Sequence, residues 1–480
     1  MDAETFRRYG HSVIEWIADY LSNSTRYPVL ARVAPGDVRR KLPEGPPAKG
    51  ESFDQILADF ERHILPGVTH WNHPGFFAYF ATTGSAPGVL AELLTAALNV
   101  QAMLWKTSPA ATELEAVTLG WLRQLLNLPE TFEGVIYDTA SIATLHALGT
   151  ARAEVIPQVR ERGLAGRSDL QPLRVYCSEH AHSSIDKATI ILGMGSEALR
   201  KIPVDQNFRM RPDELNLAIA ADRAAGFTPV AVIATVGTTS TTSVDPVPEI
   251  AKICRTEKIW LHVDAAYAGV AAMVPDMGSI LDGCEQADSL VVNPHKWLFV
   301  PFDLSAFYCR RMNSVRDTFA LTPDYLQTAE GKIGAVQNLM DTGIQLGRRF
   351  RALKLWMVLR YFGADGIRIR LAEHMRLARL FADWIDAHQD FERLAPVPFS
   401  VVCFRAAPQG AGQTKMSLED LNKALLDSVN ASGEVFLSHT KLNGKLTLRL
   451  AIGHIRTHKE HVTRAWELLQ KCLKEIMGTS

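Results

Sequence analysis

The sequence predicts an α/β protein built on a mostly parallel sheet, with a helical arm before the sheet and a small α+β domain after it. Five short runs rich in β-branched residues are nearly continuous in hydrophobicity, as strands buried on both faces are. Helical stretches separate these runs, and that alternation is typical of parallel α/β sheets. The predicted strands are residues 134–137, 173–177, 229–236, 259–263 and 289–292.

The length of 480 residues is enough for about three structural units. We expect an amino-terminal arm over residues 1–84, a large domain over 85–350 and a small domain over 351–480. The 51 basic and 52 acidic side chains leave a net charge of −1, which argues against a nucleic-acid partner, since such proteins usually carry a basic stripe.

The distribution of apolar residues and cysteines favours a cytoplasmic protein. No apolar run approaches the roughly 18 residues of a membrane span. The first twenty residues mix both charges and lack the layout of a signal peptide. The six cysteines are scattered without a CxxC pair, so we expect reduced thiols and neither a disulfide framework nor a metal site.

The arm is predicted to hold two helices, over residues 6–21 and 53–65, joined by a proline-rich segment over 33–52. An extended arm of this kind needs a surface to lie on. That surface is either a partner subunit or the body of the same chain.

The remaining helices follow from periodicity and caps. Ser108 and Pro109 have the composition of a helix start. Residues 142–155 continue the helical pattern after the first strand, and residues 348–361 begin a long helix that continues through 386. The small domain is predicted to contain strands 400–405 and 446–452 around helix 418–429, and a last helix over 459–477.

Polar residues follow the predicted strands, where α/β sheets bind ligands. Lys296 comes directly after strand 289–292, beside an apolar segment whose burial lowers a lysine pKa and frees the amine as a nucleophile. The alternative is that Lys296 has no chemical role and extends its amine to the solvent. Asp264 ends strand 259–263; it either caps a helix or holds a cationic nitrogen of a ligand.

Three further loops carry donors or rings. Thr139, Ala140 and Ser141 open helix 142–155, where free N–H groups can bind phosphate and where Ser141 is expected to act as the N-cap. His182 follows strand 173–177 and is either solvated or stacked on an aromatic ligand. Thr239 lies in a row of hydroxyls after strand 229–236, many of which are expected to be turn residues.

Phosphate donors, a stacking ring, hydroxyls, a carboxylate and an amine together fit a flat, cationic, phosphorylated aldehyde. Pyridoxal 5′-phosphate satisfies each of these features, with a lysine for the Schiff base and an aspartate for the ring nitrogen.

The sequence also resembles the pyridoxal-phosphate-dependent aromatic-L-amino-acid decarboxylases over nearly its whole length. Blocks at residues 181–184, 262–269, 293–297 and 346–351 carry the resemblance, and the two around Asp264 and Lys296, in this order and at this separation, are highly specific. The resemblance implies fold-type I, the aspartate-aminotransferase-like architecture, in an intertwined homodimer whose partner subunit covers the arm.

The resemblance carries roles over to individual positions. It implies that Lys296 forms the Schiff base, Asp264 pairs with the pyridine nitrogen and His182 stacks on the ring. The other cofactor contacts it implies are Thr139, Ala140, Ser141, Thr239, Ala266, Asn293 and His295.

The resemblance also predicts the substrate pocket and a loop acid. The pocket residues are Trp71, Tyr79, Phe80, Thr82, Met103 and Gly347, and Tyr325 is the loop tyrosine that protonates the former α-carbon.

Three positions depart from the pattern of some family members. Asp138 replaces a glycine, and Met103 replaces the aromatic or branched residue of the animal enzymes. Gly347 stands where plant tyrosine decarboxylases carry serine, which favours room for an indole.

The predicted reaction is decarboxylation of an aromatic L-amino acid to its amine. Three alternatives are open: an aromatic acetaldehyde synthase on the same scaffold, a decarboxylase for an acidic or basic amino acid, and a dimer that binds the cofactor without catalysis. The aromatic pocket argues against the second, and the combination of Lys296, Asp264, His182 and Tyr325 argues against the other two.

Overall fold

The computed structural model describes residues 1–321, 323, 326, 328–332, 336–409 and 416–478. The strands within these residues are β1 Phe76–Phe77, β2 Glu133–Tyr137, β3 Leu173–Ser178, β4 Leu199–Ile202, β5 Thr228–Thr235, β6 Trp260–Asp264, β7 Ser289–Val292, β8 Ser305–Cys309, β9 Phe391–Arg393, β10 Val401–Ala406, β11 Phe436–Leu442 and β12 Lys445–Ala451.

The helices are distributed between and around these strands. They are α1 Ala3–Ser22, α2 Asp37–Lys41, α3 Phe53–Asp59, α4 Ala86–Leu98, α5 Pro109–Leu125, α6 Ala140–Val155, α7 Val159–Arg162, α8 Ser184–Ile191, α9 Pro212–Ala224, α10 Val247–Glu257, α11 Pro294–Trp297, α12 Met312–Phe319, α13 Ala329–Lys332, α14 Ala352–Ala387, α15 Leu418–Ala431 and α16 Lys459–Gly478.

The chain divides into two compact units. The first contains Met1–Ala81, Leu377–Leu394 and Val402–Ser480, and the second contains Thr82–Arg376 and Ala395–Val401. The division into an arm over 1–84, a domain over 85–350 and a domain over 351–480 stays a prediction. In the described residues, no helix combines the length and hydrophobicity that a bilayer crossing requires.

The second unit is built on a seven-stranded sheet with the order β2-β8-β7-β6-β5-β3-β4. Six strands run parallel, and only β8 runs antiparallel, between β2 and β7. The five strands expected from the sequence are all present, which confirms the predicted α/β class. Their core side chains are fully buried, as a sheet covered on both faces requires.

The first unit contains a five-stranded sheet with the order β1-β11-β12-β10-β9. Strand β1 pairs in parallel with β11, and β11 forms an antiparallel hairpin with β12. Val29, Phe76, Ala78 and Ala81 form a buried cluster in this unit, with Phe436 packed against it.

Two predicted helices differ from the structure in form. Helix α3 ends at Asp59, and residues Phe60–Ile64 and Leu65–Gly67 continue in wider and then tighter turns before Pro66 and Gly67 end the segment. Helix α14 is interrupted at Gly363, whose φ of 62° and ψ of 169° are not helical. Glycine adopts this backbone conformation without a steric penalty from a side chain.

Candidate active site

The loops that carry the predicted site residues leave the seven-stranded sheet at one edge. Strands β2, β3, β5, β6 and β7 are mutually parallel, so their carboxyl ends lie on the same side. Thr139, His182, Thr239, Asp264 and Lys296 each follow, or end, one of these strands. The strand geometry thus gathers the residues on which the sequence prediction depends.

Asp264 is the last residue of β6 and is 7% exposed. Its Oδ1 accepts a hydrogen bond of 3.1 Å from the Ala266 N–H. A carboxylate buried in this way is stabilised by a cationic partner.

Lys296 lies in the short helix α11, directly after β7, and is partly buried. Burial lowers the pKa of Lys296, and the negative charge of Asp264 acts in the opposite direction. The Lys296 N–H donates to the carbonyl of Asn293 at 2.9 Å. A lowered pKa increases the fraction of neutral amine, which is the nucleophilic form.

The segment around Lys296 is fixed by its neighbours. The Ser305 hydroxyl donates to Asn293 Oδ1 at 2.6 Å, and the Leu304 N–H donates to His295 Nδ1 at 2.9 Å. The Asn293 N–H donates to the carbonyl of Ala266 at 3.0 Å, which joins the loops after β6 and β7.

Burial and the neighbouring charge of Lys296 lower the pKa of His295 and keep its ring neutral. Burial lowers the pKa of His295 to about 3, so the ring carries no charge at neutral pH. Its Nδ1 accepts the Leu304 N–H. His295 therefore contributes to the backbone geometry beside Lys296.

His182 precedes helix α8 and keeps an exposed ring. Its Nδ1 accepts the Ser184 N–H at 3.1 Å, so the proton of the neutral ring lies on Nε2. Desolvation lowers the pKa of His182; Asp264 opposes the change and Lys296 reinforces it. The charges of Asp264 and Lys296 both act on this imidazole, which places the three residues in one electrostatic environment.

The start of helix α6 differs from the prediction at one residue. The helix begins at Ala140 with extended Thr139 (φ −138°) at the N-cap position, so the expectation that Ser141 is the N-cap is wrong. Ala140 and Ser141 occupy the first turn, whose N–H groups have no acceptor within the helix. The Thr139 N–H and hydroxyl both donate to Asp138 Oδ1, at 2.6 and 3.1 Å.

Thr239 is exposed in the loop after β5. Its neighbours form the turn that the sequence suggests: Thr238 and Thr241 hydroxyls lie 3.0 Å apart, and Thr241 and Ser243 hydroxyls 2.8 Å apart. Ala266 is buried beside Asp264. A larger side chain at position 266 would take up space next to the Asp264 carboxylate, to which the Ala266 N–H is bonded.

Three predicted pocket residues belong to the second unit. Thr82 is partly buried at the start of the unit. Met103 packs on a small cluster with Leu104 and Met340. Gly347 is exposed, and a Cβ there would lie 3.2 Å from Gln101 Nε2, beside a cavity of about 600 Å³.

The other three pocket residues belong to the first unit. The Trp71 and Tyr79 rings stack at 6.0 Å with an interplanar angle of 19°, and both are exposed. Phe80 is buried, with the Arg449 guanidinium 5.4 Å from its ring centroid. Tyr325 lies outside the described residues.

The sequence analysis missed a buried ion pair that fixes the segment beside Gly347. Arg348 Nη2 lies 2.8 Å from Glu115 Oε1 and also donates to the carbonyl of Ile136 at 2.7 Å. The only signal was a glutamate on the apolar side of helix α5. Its partner is 233 residues away in sequence.

A second missed contact joins the same segment to the start of α6. Gln345 Nε2 donates to Asp138 Oδ2 at 3.2 Å. The His146 Nε2 accepts the Ile344 N–H at 3.2 Å, and the Tyr137 hydroxyl donates to the carbonyl of Thr342 at 2.5 Å.

The residues present fit pyridoxal phosphate. The buried carboxylate of Asp264 has one hydrogen bond from Ala266 and can accept a second from a cationic ring nitrogen. The amine of Lys296 lies in the same electrostatic environment, and the first turn of α6 offers N–H groups to an anion. The fold and this edge therefore define a cofactor-dependent α/β enzyme.

Comparison with known proteins gives the family. The model of the pyridoxal-dependent decarboxylase conserved domain matches residues 35–407. The chain is 41% identical to Arabidopsis thaliana phenylacetaldehyde synthase, over 98% of this chain and 96% of that protein. It is 40% identical to Sus scrofa aromatic-L-amino-acid decarboxylase, over 100% and 98%.

A solved structure agrees over the same extent. The crystal structure of Oryza sativa TDC with PLP and tryptamine superimposes with a TM-score of 0.95 and 36% sequence identity, covering 99% of each chain. The chain belongs to the pyridoxal-dependent decarboxylase family, and its cofactor is pyridoxal 5′-phosphate.

Proposed function

We propose that this protein decarboxylates an aromatic L-amino acid to the corresponding arylalkylamine and carbon dioxide. The observation that carries the proposal is the convergence of Lys296, Asp264 and His182 at one sheet edge. There the charge of Asp264 acts on Lys296, and the charges of both act on His182. Two relatives support the same substrate class. One is named an aromatic-L-amino-acid decarboxylase, and the other is named for an aromatic aldehyde, phenylacetaldehyde.

Each of these residues has a proposed role. Lys296 would hold the cofactor through Nζ, and Asp264 would keep a proton on the cofactor's ring nitrogen. His182 would cover one face of the ring, with its orientation fixed by the Ser184 N–H. Bound pyridoxal phosphate supplies the electron sink for the carbanion left when carbon dioxide departs.

The first turn of α6 and its surroundings would hold the phosphate. Ala140 and Ser141 present N–H groups at the positive end of the helix dipole. Asn293 is held by Ser305, and Thr239 and Ala266 lie after β5 and β6. Thr139 has both of its donors bonded to Asp138, so its contact with phosphate would require Asp138 to turn away.

The proposed substrate-contacting residues are Thr82, Met103 and Gly347 in the second unit and Trp71, Tyr79 and Phe80 in the first. At position 347 the three atoms nearest to an added Cβ all belong to the Gln101 side chain, which accepts the Arg348 N–H at 2.6 Å, so any larger residue there would press on Gln101. Tyr325 would deliver a proton to the former α-carbon.

The protein is proposed to act as a homodimer in the cytoplasm. Leu90, Leu93, Leu94 and Leu98 share one face of helix α4 and are 47–59% exposed in the single chain. An apolar face of this size is stabilised by contact with another protein surface. The six cysteines are buried free thiols, which suits a reducing compartment.

The second candidate is an aromatic acetaldehyde synthase on the same scaffold. The 41% identity to the Arabidopsis phenylacetaldehyde synthase favours it. Decarboxylation is common to both candidates, and they differ in whether the product keeps its amine.

A substrate panel tests the proposal. Tryptophan, 5-hydroxytryptophan, tyrosine, DOPA, phenylalanine and glutamate would each be incubated with the holoenzyme, and amine, aldehyde, ammonia and peroxide measured. We expect amine as the main product from one or more aromatic substrates and no turnover of glutamate. Aldehyde with stoichiometric peroxide would assign the synthase instead, and turnover of glutamate alone would refute both.

A further inference from the structure

A cavity with a cationic rim lies at the opposite edge of the seven-stranded sheet, where the parallel strands begin. Its volume is about 360 Å³. It lies between the end of helix α10, the start of β6, the segment before β7 and the residues after β8. No residue proposed for catalysis lines it. A cavity of this size is in the range that small-molecule sites occupy.

The walls of the cavity carry an excess of positive charge. Arg255, Lys258, Arg310 and Arg311 line it, with Asp288 as the one carboxylate. Arg311 Nη2 lies 3.2 Å from Asp288 Oδ1, and Arg310 Nη2 lies 3.7 Å from the same atom. One carboxylate is therefore shared by two guanidinium groups.

Asp288 is also committed to the backbone. Its Oδ2 accepts the Leu261 N–H at 2.9 Å. Outside the cavity, Arg311 has a second ion pair with Glu154 at 3.2 Å. The two negative charges of Asp288 and Glu154 thus balance the positive charges of Arg310 and Arg311 and of no other residue in the cavity.

Arg255 and Lys258 remain without a carboxylate within 4 Å among the residues whose structure is described. Arg255 donates to the neutral Gln286 Oε1 at 3.0 Å. The main-chain N–H of Lys258 and that of Ile259 close the end of helix α10 by donating to carbonyls of Arg255 and Cys254. The carbonyls of Cys254 and Arg255 at the end of α10 are therefore hydrogen-bonded to main-chain N–H groups, and this reduces their repulsion of an anion in the cavity.

The floor of the cavity is apolar. Cys254, Ile259 and Trp260 are buried there, and the Arg311 guanidinium lies 4.4 Å from the Trp260 ring centroid. An apolar floor under a cationic rim lowers the local dielectric and strengthens attraction to an anion. Guanidinium groups also bind phosphate and carboxylate oxygens in paired hydrogen bonds.

We propose that this cavity binds a small dianion, either a phosphate ester or a dicarboxylate, at a distance from the catalytic edge. Arg255 and Lys258 supply the two uncompensated charges, and Arg310 and Arg311 supply further donors. The proposal does not depend on the substrate or on the reaction at the other edge.

Titration calorimetry on the holoenzyme tests the site, because bound cofactor blocks the phosphate position at the catalytic edge. Inorganic phosphate and succinate would be titrated at constant ionic strength, with chloride as the reference. The variant Arg255→Gln/Lys258→Gln is compared with Lys252→Gln, which removes an exposed charge from the same helix but outside the cavity.

We expect saturable binding of at least one dianion, weakened about tenfold or more in the double variant, which corresponds to about 1.4 kcal/mol, and unchanged in Lys252→Gln. Phosphate binding alone would assign a phosphate-bearing ligand, and succinate binding alone a dicarboxylate. The absence of saturable binding, or equal loss in both variants, would overturn the proposal.

Discussion

Replacement of Arg348 by methionine tests the buried ion pair beside Gly347. Arg348 and Glu115 side chains are 6% and 3% exposed and lie 2.8 Å apart. Methionine retains most of the apolar stem but removes the charge. Glu115 then remains as a buried carboxylate whose Oε1 accepts the Ile136 N–H at 2.8 Å.

The expected cost follows from the loss of one partner of a buried pair, about 3–5 kcal/mol. The Arg348 guanidinium also donates to the carbonyls of Ile136 and Ala102, so these acceptors lose their donor as well. We expect Arg348→Met to lower the free energy of unfolding by about this amount. The double variant Glu115→Gln/Arg348→Met should recover part of it, since no buried charge remains.

The assay is urea unfolding of the holoenzyme, followed by far-ultraviolet circular dichroism and by cofactor absorbance. Arg349→Met is a matched control because Arg349 is 51% exposed and its partner Glu92 also contacts Lys354. An exposed pair contributes about 0–1 kcal/mol. A loss below about 1 kcal/mol for Arg348→Met, equal to that of the control, would refute the argument.

Four further predictions concern the site and its pH dependence. Lys296→Ala should abolish borohydride trapping of the cofactor, and trapping at another lysine would contradict the assignment. Asp264→Asn should lower kcat by about a hundredfold or more, at about 1.4 kcal/mol per tenfold, whereas an unchanged kcat would remove its role at the ring nitrogen. Tyr325→Phe should shift products from amine toward aldehyde, measured by chromatography, and an unchanged amine yield would exclude the proposed proton transfer. Burial lowers the pKa of His146 to about 4, so the unfolded chain binds a proton at His146 near pH 6.5 and the folded chain does not. The contribution of His146 to stability, present above pH 6.5, should fall by about 1.4 kcal/mol per pH unit toward pH 4, and His146→Gln should reduce the total slope by that amount.

The positions of the catalytic-edge residues could be predicted from the sequence because they depend on strand order along the chain. A polar residue after a buried parallel strand lies at the carboxyl edge whatever the rest of the fold does. Lys296, Asp264 and His182 follow this rule.

Strand β8 could not be predicted in the same way. It is antiparallel and lies between β2 and β7, although more than 160 residues separate it from β2 in sequence. Its pairing depends on tertiary contacts that local periodicity does not encode. The same is true of Arg348 and Glu115, and of the bond between Asp138 and Gln345.

The bonds that fix the segment around Lys296 have a consequence for which residues affect the lysine. Ser305 and Leu304, at the start of β8, bond to Asn293 and His295 on either side of the turn that leads to the lysine. All of these bonds are made by the protein alone. Loss of the Ser305 hydroxyl would therefore act on the lysine through Asn293, from a strand that does not contain any of the proposed catalytic residues.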